Sequence, residues 1–574
     1  MIILGFNGLL YGDVSTKRNG AFIDNLYVHD SSAALVIDGK LTTAISEERF
    51  TRVKHEGIYP KNAIKNILDA EKITRFDIDV ICYVDNGSLP GYFSQKTRHK
   101  MIKSILKDDF PNSKIKIIDH HYAHAWSSFG VSNFSEANVL TFDHAGDNFI
   151  KNNNDNFQTG YFNNFSFSTF KKNPLTIDRH YFNLIPSAQQ FFSFGYFYTS
   201  CSYLIYQMLY KEKEDEDKPA FGEGYEGKIM GLSAYGSRHN VKIPNPFDII
   251  QPTKYDFPVV YLKNNVGETQ ATPEDFAAWM QNIFEITLLE FFERMPQRYK
   301  HENLCLSGGC ALNILANSLL LKKGVYKNIF IGSAPNDDGL SLGAALSEAY
   351  EKEKIINIPS NVGSLGFWYN SLIIEKSIDL KNKNKNFTVR KYDDYVEFID
   401  EVANLLLQET GICWFHGRSE FGPRALGNRS ILVNPMIDSK DFLNTQVKHR
   451  EYWRPYAGIV LKEYVHDFFD IPTNESPYMM FSSTVKKNKR NLLPGITHKD
   501  NTCRIQTLDR DFNPTLYDLI NNFKDKTGVP VLLNTSFNTL KNEPIVETPN
   551  DAINSFLNCK LKILVLENYI LTKN

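Results

Sequence analysis

Short apolar runs of strand length alternate along this chain with longer stretches whose apolar positions recur every three or four residues, the pattern of an α/β protein. Ile2–Phe6 and Ser32–Ile37 read as strands, and Asp38-Gly39 separates the second from a further apolar run, Leu41–Ser46. An Asp-Gly pair between such runs predicts a tight hairpin, because glycine accepts positive φ. A similar block covers Asn138–Asn148, where the apolar VLTF runs into the polar, glycine-containing DHAGD, so the chain carries a weak internal repeat of strand, polar turn and return strand. Lys61–Ala70, Thr97–Lys107 and Pro273–Phe292 have helical periodicity. NLCLSGGCALN reads as a buried strand broken at Gly308-Gly309 before a helix from Ala311, and Asn328–Gly332 is a strand leading through the polar PNDDG turn into another helix.

Three tracts lack apolar content: Lys151–Asn156, Lys211–Lys218 and Lys381–Asn386 read as solvated loops. A domain boundary is expected near residue 360, just before the last of them. It gives a first domain over 1–360 and a second over 361–574, where Tyr395–Gln408 reads as a helix and Ile412–Phe415 as a strand.

Composition narrows the function classes. With 64 basic against 66 acidic residues and a net charge of -2, no overall basic field argues for wrapping a nucleic acid. Seven scattered cysteines form no CxxC pair, which argues against a zinc ribbon or redox dithiol and fits a reducing compartment. The opening MIILGFNG is too short and lacks the basic flank of a signal peptide, and no run approaches the about 18 apolar residues of a membrane span. A cytoplasmic protein without a membrane partner is expected.

Candidate chemistry concentrates in a few segments. In DHHYAHAW, His120 and His124 stand four apart and share one face if the segment is helical. That spacing suits two ligands of one metal ion, with Asp143 and Asp337 at strand ends as candidate carboxylates; iron, manganese or zinc fits such a set, and magnesium if carboxylates dominate. A histidine pair lining a helix without metal is the plainer alternative. His29 sits at the entrance to a hairpin and is a candidate base toward a hydroxyl, or simply a turn residue. Gly308 and Gly309 could let backbone approach a phosphate, and Lys228 in the glycine-rich GEGYEGKIMGLSAYG could reach one, although packing turns and a surface loop read equally well. The densest signal is WFHGRSEFGPRALGNRSILVNP followed by VKHREYWRPYAG. It sets Arg418, Arg424, Arg429, Lys448, Arg450 and Arg454 among glycines, prolines and aromatics, as expected of a rigid pocket for a doubly charged anion. Bases and phosphates of a nucleic acid are the rival ligand. VLLNTSFN adds amide and hydroxyl groups, Asn534 and Ser536 among them, able to hydrogen-bond a urea-like head.

Ten segments in order, LGFNG, HDSSAALVIDG, EERFTRVKH, HHYAHA, GKIMGL, SGGCALN, NDDGLSLGAA, GRSEFGPRALGNRS, VKHREYWRPYA and LLNTSFN, span nearly the whole chain and resemble the O-carbamoyltransferases of nodulation-factor and antibiotic tailoring. The resemblance implies an amino-terminal domain of the actin-like, sugar kinase and heat-shock ATPase superfamily, similar to the threonylcarbamoyl-tRNA enzymes, and a YrdC-like carboxy-terminal domain. It implies ATP and carbamoyl phosphate as substrates, a carbamoyl adenylate intermediate, and a hydroxyl acceptor on a sugar, glycoside or other small metabolite. By motif, His120, His124, Asp143 and Asp337 would be metal ligands and His29 the base. Arg418, Arg424, Lys448, Arg454, Asn534 and Ser536 would bind carbamoyl phosphate, and Gly308, Gly309 and Asn313 the nucleotide. Leu9–Leu26 intervenes between LGFNG and HD where relatives are shorter, beside the implied acceptor site.

Rival readings share parts of this pattern. A hydrogenase-maturation carbamoyltransferase would add an acylphosphatase segment and zinc fingers, neither of which is present; a fused threonylcarbamoyl-tRNA enzyme would want a basic RNA-docking face; an ATP-binding scaffold would lose the metal ligands and arginines. A homodimer is left open.

Overall fold

The computed structural model describes residues 1–10, 21–23, 26–85, 95–143, 148–149, 161–162, 165–180, 194–210, 224–243, 271–353 and 355–574. The tracts 151–156 and 211–218 and most of Leu9–Leu26 lie outside the described residues. The chain divides into two units, one of residues 1–42 and 55–358, the other of 43–54 and 359–574.

Two five-stranded sheets organise the first unit. In one, Lys40–Ser46, Ser32–Ile37, Ile2–Asn7, Val80–Val84 and Lys114–Ile118 lie side by side; in the other, Thr176–Arg179, Phe165–Lys171, Glu136–Phe142, Asn303–Ser307 and Asn328–Ile331 do. Numbered by chain order within each sheet, both read 3-2-1-4-5. In both, the first strand runs antiparallel to the second and parallel to the fourth. Both also carry a small hairpin after the first strand, Ala21–Ile23 with Leu26–Val28 and Asn148–Phe149 with Tyr161–Phe162. The repeat expected from two short matches is therefore a duplication of a whole sheet.

The central strands are apolar on both faces because helices cover them. Helix Leu340–Lys352 packs against helix His120–Phe129 at Gly343, where a Cβ would fall 1.8 Å from the Ala123 carbonyl oxygen. The expected helices are observed at Lys61–Glu71, Gln95–Asp109 and Pro273–Glu293, the last opened by a Thr272/Asp275 capping box. The helix expected from Ala311 begins instead at Ile314, after a short 3-10 turn, because the Asn313 side chain caps it by accepting from the Ala316 amide.

A ten-stranded mixed sheet forms the second unit, with Arg429–Val433, Val531–Ser536, Ala457–Leu461 and Thr502–Leu508 at its centre and helices Tyr395–Gln408, Pro514–Thr527 and Pro549–Leu557 beside it. The Thr43–Lys54 excursion belongs to this unit. Arg49, 1% exposed, donates to the Gly422 carbonyl, and Arg52 donates to the carbonyls of Ile545 and Pro544 at 2.8 Å each. Among the described residues no helix is long and apolar enough to cross a membrane.

Candidate active site

The first unit brings four of the expected ligands together. Asp119 caps the His120–Phe129 helix by accepting from the Tyr122 amide, and the helical turn brings the His120 and His124 rings edge to face with centroids 4.7 Å apart. Asp143 follows the strand Glu136–Phe142, and Asp337 lies in the turn before helix Leu340–Lys352. His124 Nε2 lies 3.0 Å from Asp143 Oδ2 and 3.2 Å from Asp337 Oδ1, and His120 Nε2 lies 3.6 and 3.7 Å from the same atoms. Four ligand atoms within 4.8 Å of one another fit a single ion, since metal bonds of about 2.1 Å place neighbouring ligands roughly 3.0 to 3.4 Å apart. Burial opposes charge on both Asp143 and His124. Hydrogen bonds with His120 and His124 override it at Asp143, holding its carboxyl well below the usual range, and those with Asp143 and Asp337 raise the His124 imidazole. His121, turned elsewhere in the same interior, is held neutral by burial and by the two neighbouring imidazoles.

The glycines of SGGCALN serve this centre directly. Gly308 has φ 87°, and a Cβ there would lie 2.3 Å from the Phe142 carbonyl oxygen; one on Gly309 would lie 3.1 Å from Asp143 Oδ1. The Gly308 amide donates to the Pro335 carbonyl at 2.8 Å, so one turn sits against both aspartate-bearing segments. Besides capping its helix, Asn313 exchanges hydrogen bonds with Gln281. Lys228 lies over the rings of Tyr206 and Tyr225, 5.5 and 5.4 Å from their centroids.

His29 stands between the small hairpin and strand Ser32–Ile37, and its Nδ1 is 3.0 Å from Asp30 Oδ2. Burial opposes its charge, but Asp337 and Asp30 raise its pKa to about 10.

In the second unit one carboxylate shapes the arginine motif. Glu420, 1% exposed, accepts through Oε1 from the amides of Leu426, Asn428 and Arg429 at 2.8, 2.8 and 3.0 Å, folding FGPRALGN into a closed loop that presents Arg424. Burial lowers the Arg424 pKa to about 10, and its Nε is buried without a hydrogen-bond partner. Arg454 is lowered to about 10 by burial and by Arg450, and Arg504 well below its usual value by burial and by Arg424, Arg450 and Arg454. Sheet register places Arg504 and Asn534 on either side of Ala457, so their side chains leave the same face. Asn534 donates to Gln506 Oε1 at 2.8 Å and to the Ala425 carbonyl at 3.2 Å, while its own Oδ1 is buried with no donor.

The remaining cations are differently employed. Lys448 donates to both oxygens of Ser536 and to those of Asn538, and burial followed by Arg450 lowers its pKa well below the usual value. Arg418 donates to the carbonyls of Gly366 and Leu365 at 2.9 and 2.7 Å. Arg429, which the sequence motif groups with the anion cluster, is 0% exposed, lies 3.5 Å from the Phe415 ring centroid and donates to the carbonyls of Gly417 and Phe367. It belongs to the core. Sequence reasoning missed Arg504, whose only signal is a charge in the alternating strand TCRIQTL. Glu420 was legible only as part of a motif.

The first unit thus gathers charge-paired imidazoles and carboxylates beside a duplicated sheet, and the second gathers a cluster of guanidiniums. The carbamoyltransferase amino-terminal family profile matches residues 22–107 and 92–346, and the carbamoyltransferase carboxy-terminal profile matches 403–573. Nodulation protein NolNO of Sinorhizobium fredii is 31% identical, the alignment covering 100% of this chain and 83% of that protein. An uncharacterized protein of Methanocaldococcus jannaschii is 32% identical over 95% of this chain and 98% of its own length. Among solved structures, T. kodakarensis HypF aligns at 14% identity with a TM-score of 0.34, covering 61% of this chain and 47% of that one. The chain belongs to the carbamoyltransferase family, and the protein is a carbamoyltransferase.

Proposed function

We propose that the protein is an ATP-dependent O-carbamoyltransferase that activates carbamoyl phosphate in a YrdC-like second unit and carbamoylates a hydroxyl, on a sugar, glycoside or other small metabolite, in the first. The observation that carries the reading is the group of mutually repelling guanidiniums, Arg424, Arg450, Arg454 and Arg504, beside an amide oxygen without a donor, Asn534 Oδ1. Repelling cations ask for a multiply charged anion, and a buried acceptor asks for an N–H. Carbamoyl phosphate offers both. Arg418, Lys448 and Ser536 line the same reading as wall residues that hold backbone around the anion, and Gly308, Gly309, Asn313 and Lys228 remain the nucleotide-side group.

The chemistry balances in three steps. Water splits carbamoyl phosphate to carbamate and phosphate; a carbamate oxygen bonds the α-phosphorus of ATP and pyrophosphate leaves. The acceptor oxygen then bonds the carbamoyl carbon, the bond from that carbon to the AMP oxygen breaks, and His29 takes the hydroxyl proton. Guanidinium charge stabilises the phosphate anions as they develop. A divalent ion such as iron, manganese, zinc or magnesium, held by His120, His124, Asp143 and Asp337, would supply further positive charge to phosphate oxygens and, by offsetting the Asp337 charge that raises the His29 pKa, would leave His29 neutral to act as the base. Kinship with a nodulation protein supports a small-molecule acceptor, and seven cysteines without a disulfide suit the cytoplasm.

The test is pyrophosphate release from ATP on addition of carbamoyl phosphate, followed by a screen of sugar nucleotides and methyl glycosides for a mass gain of one carbamoyl group. Pyrophosphate release that ignores carbamoyl phosphate would sink the reading.

A further inference from the structure

Three left-handed residues meet behind His29. Asp30 has φ 55°, His55 φ 57° and Gly224 φ 70°. Glycine adopts this conformation freely, but for aspartate and histidine it costs energy that surrounding contacts must offset, and such outliers gather where geometry is being imposed. At 5% exposure, Asp30 is an almost fully buried carboxylate. Its Oδ2 accepts from His29 Nδ1 at 3.0 Å and from Asn336 Nδ2 at 3.0 Å, and its Oδ1 accepts from His55 Nδ1 at 2.8 Å. The Asp30 carbonyl accepts from Asn7 Nδ2, which also reaches the Asp337 carbonyl. On the far side of the His55 ring, Nε2 lies 3.2 Å from where a Cβ on Gly224 would stand, so the ring is pressed between a carboxylate and the backbone opening the glycine-rich segment. The two imidazoles stand edge to face, centroids 6.5 Å apart and planes at 90°.

We propose that His55 is a positioning residue for carbamoyl transfer: by donating to Asp30 it fixes the carboxylate that holds His29 in the Nδ1–H tautomer, directing the His29 Nε2 lone pair to the acceptor hydroxyl. This rests on His29 as the base of the reaction proposed above. A carboxylate with one oxygen pinned by His55 and the other shared by His29 and Asn336 cannot rotate about its Cβ–Cγ bond without losing a donor. Released from His55, it turns, and the His29 ring loses its orientation. In the transfer step the acceptor O–H proton moves to His29 Nε2 while Nδ1–H stays on Asp30, so His55 takes and gives no proton.

The experiment uses full-length protein carrying [15N]histidine, with the His29 signal assigned by its loss in His29→Asn. Two-bond proton–nitrogen spectra, followed through a pH titration and read on the neutral His29 ring, report the Nδ1–H tautomer in the wild type, a tautomer mixture in His55→Ala, and Nδ1–H again in His55→Asn, whose side-chain amide restores a donor near the Nδ1 position. In parallel, His55→Ala slows discharge of carbamoyl adenylate by about ten- to hundredfold, while carbamoyl phosphate dependent pyrophosphate release and metal content stay at wild-type levels; His55→Asn recovers most of the rate. Adding His55→Ala to His29→Asn slows discharge no further, because the positioned group is already gone. An unchanged tautomer in His55→Ala, or a further loss in the double variant, overturns the proposal. The tautomer decides the role of His55 even where the wild type releases no pyrophosphate, an outcome that rejects the carbamoyl adenylate reading instead.

Discussion

In the first unit two imidazoles face two carboxylates at 3.0 to 3.7 Å, so each charge has an opposite at hand. In the second, Arg424, Arg450, Arg454 and Arg504 act on one another as like charges, and burial aggravates the repulsion. The first centre is held together by its own charges and is preformed. Like-charge repulsion in the second is held in check by the backbone, by the Glu420 loop and by the sheet register across Ala457. Removing a charged group should therefore have opposite consequences in the two places: loss of a partner in one, relief of strain in the other.

The sharpest break in the comparison is His124→Ala. It removes the 0%-exposed imidazole that lies nearest both carboxylates and leaves Asp143 and Asp337 buried beside each other with one cation fewer. Losing the partner of a buried pair costs about 3 to 5 kcal/mol, and metal content should fall from near one ion per chain to background by elemental analysis. Wild-type metal content in this variant would show that the four ligand atoms are not the binding set.

Arg504→Met tests the other side with a smaller expected effect. Charge-assisted hydrogen bonds contribute about 1.5 to 3 kcal/mol, so the KM for carbamoyl phosphate should rise roughly ten- to hundredfold. Without ligand the variant should melt about 2 °C higher than the wild type, because one of four repelling charges has gone. A lower melting temperature with unchanged KM would mean that Arg504 is structural and that the cluster does not await an anion.

Much of this was legible because its signals are local. The four-residue spacing of His120 and His124 needs only a helix, and Asp143 announces itself as a polar residue at the end of an apolar strand, whereas Asp337 lies beyond its strand, in the turn that opens the next helix. What stayed hidden depends on contacts between distant segments. The duplicated sheet is set by pairings such as Val139 with Cys305, which no local pattern reports. Arg424 and Arg429 look alike five residues apart, yet Phe415 and a ring of carbonyls draw Arg429 into the core while a loop tip holds Arg424. Glu420 acts on backbone amides up to nine residues away, and His55 acts through a carboxylate twenty-five residues earlier in the chain. Neither side chain stands in a spacing that advertises its role.

The smallest of the expected effects follows from His29, where proton linkage sharpens the contrast between the two charge arrangements. Against the opposition of burial, Asp337 and Asp30 raise its pKa from 6.5 to about 10. A folded-state pKa above the unfolded one means that the native protein binds the extra proton more tightly. The resulting stability is fully present below pH 6.5 and is lost as pH climbs through 10. The His29 side chain is 32% exposed, so solvent screening holds the contribution to on the order of 1 kcal/mol. Arg424 and Arg454, lowered to about 10 from 12.5, have the opposite sign and add stability only as pH rises above 10. Metal-free protein should accordingly lose stability to urea between pH 6.5 and 10. A divalent ion at the aspartates offsets the charge that lifts His29, so saturating metal should flatten that slope. A slope that persists unchanged with metal bound would place the source of the elevated His29 pKa in Asp30 alone.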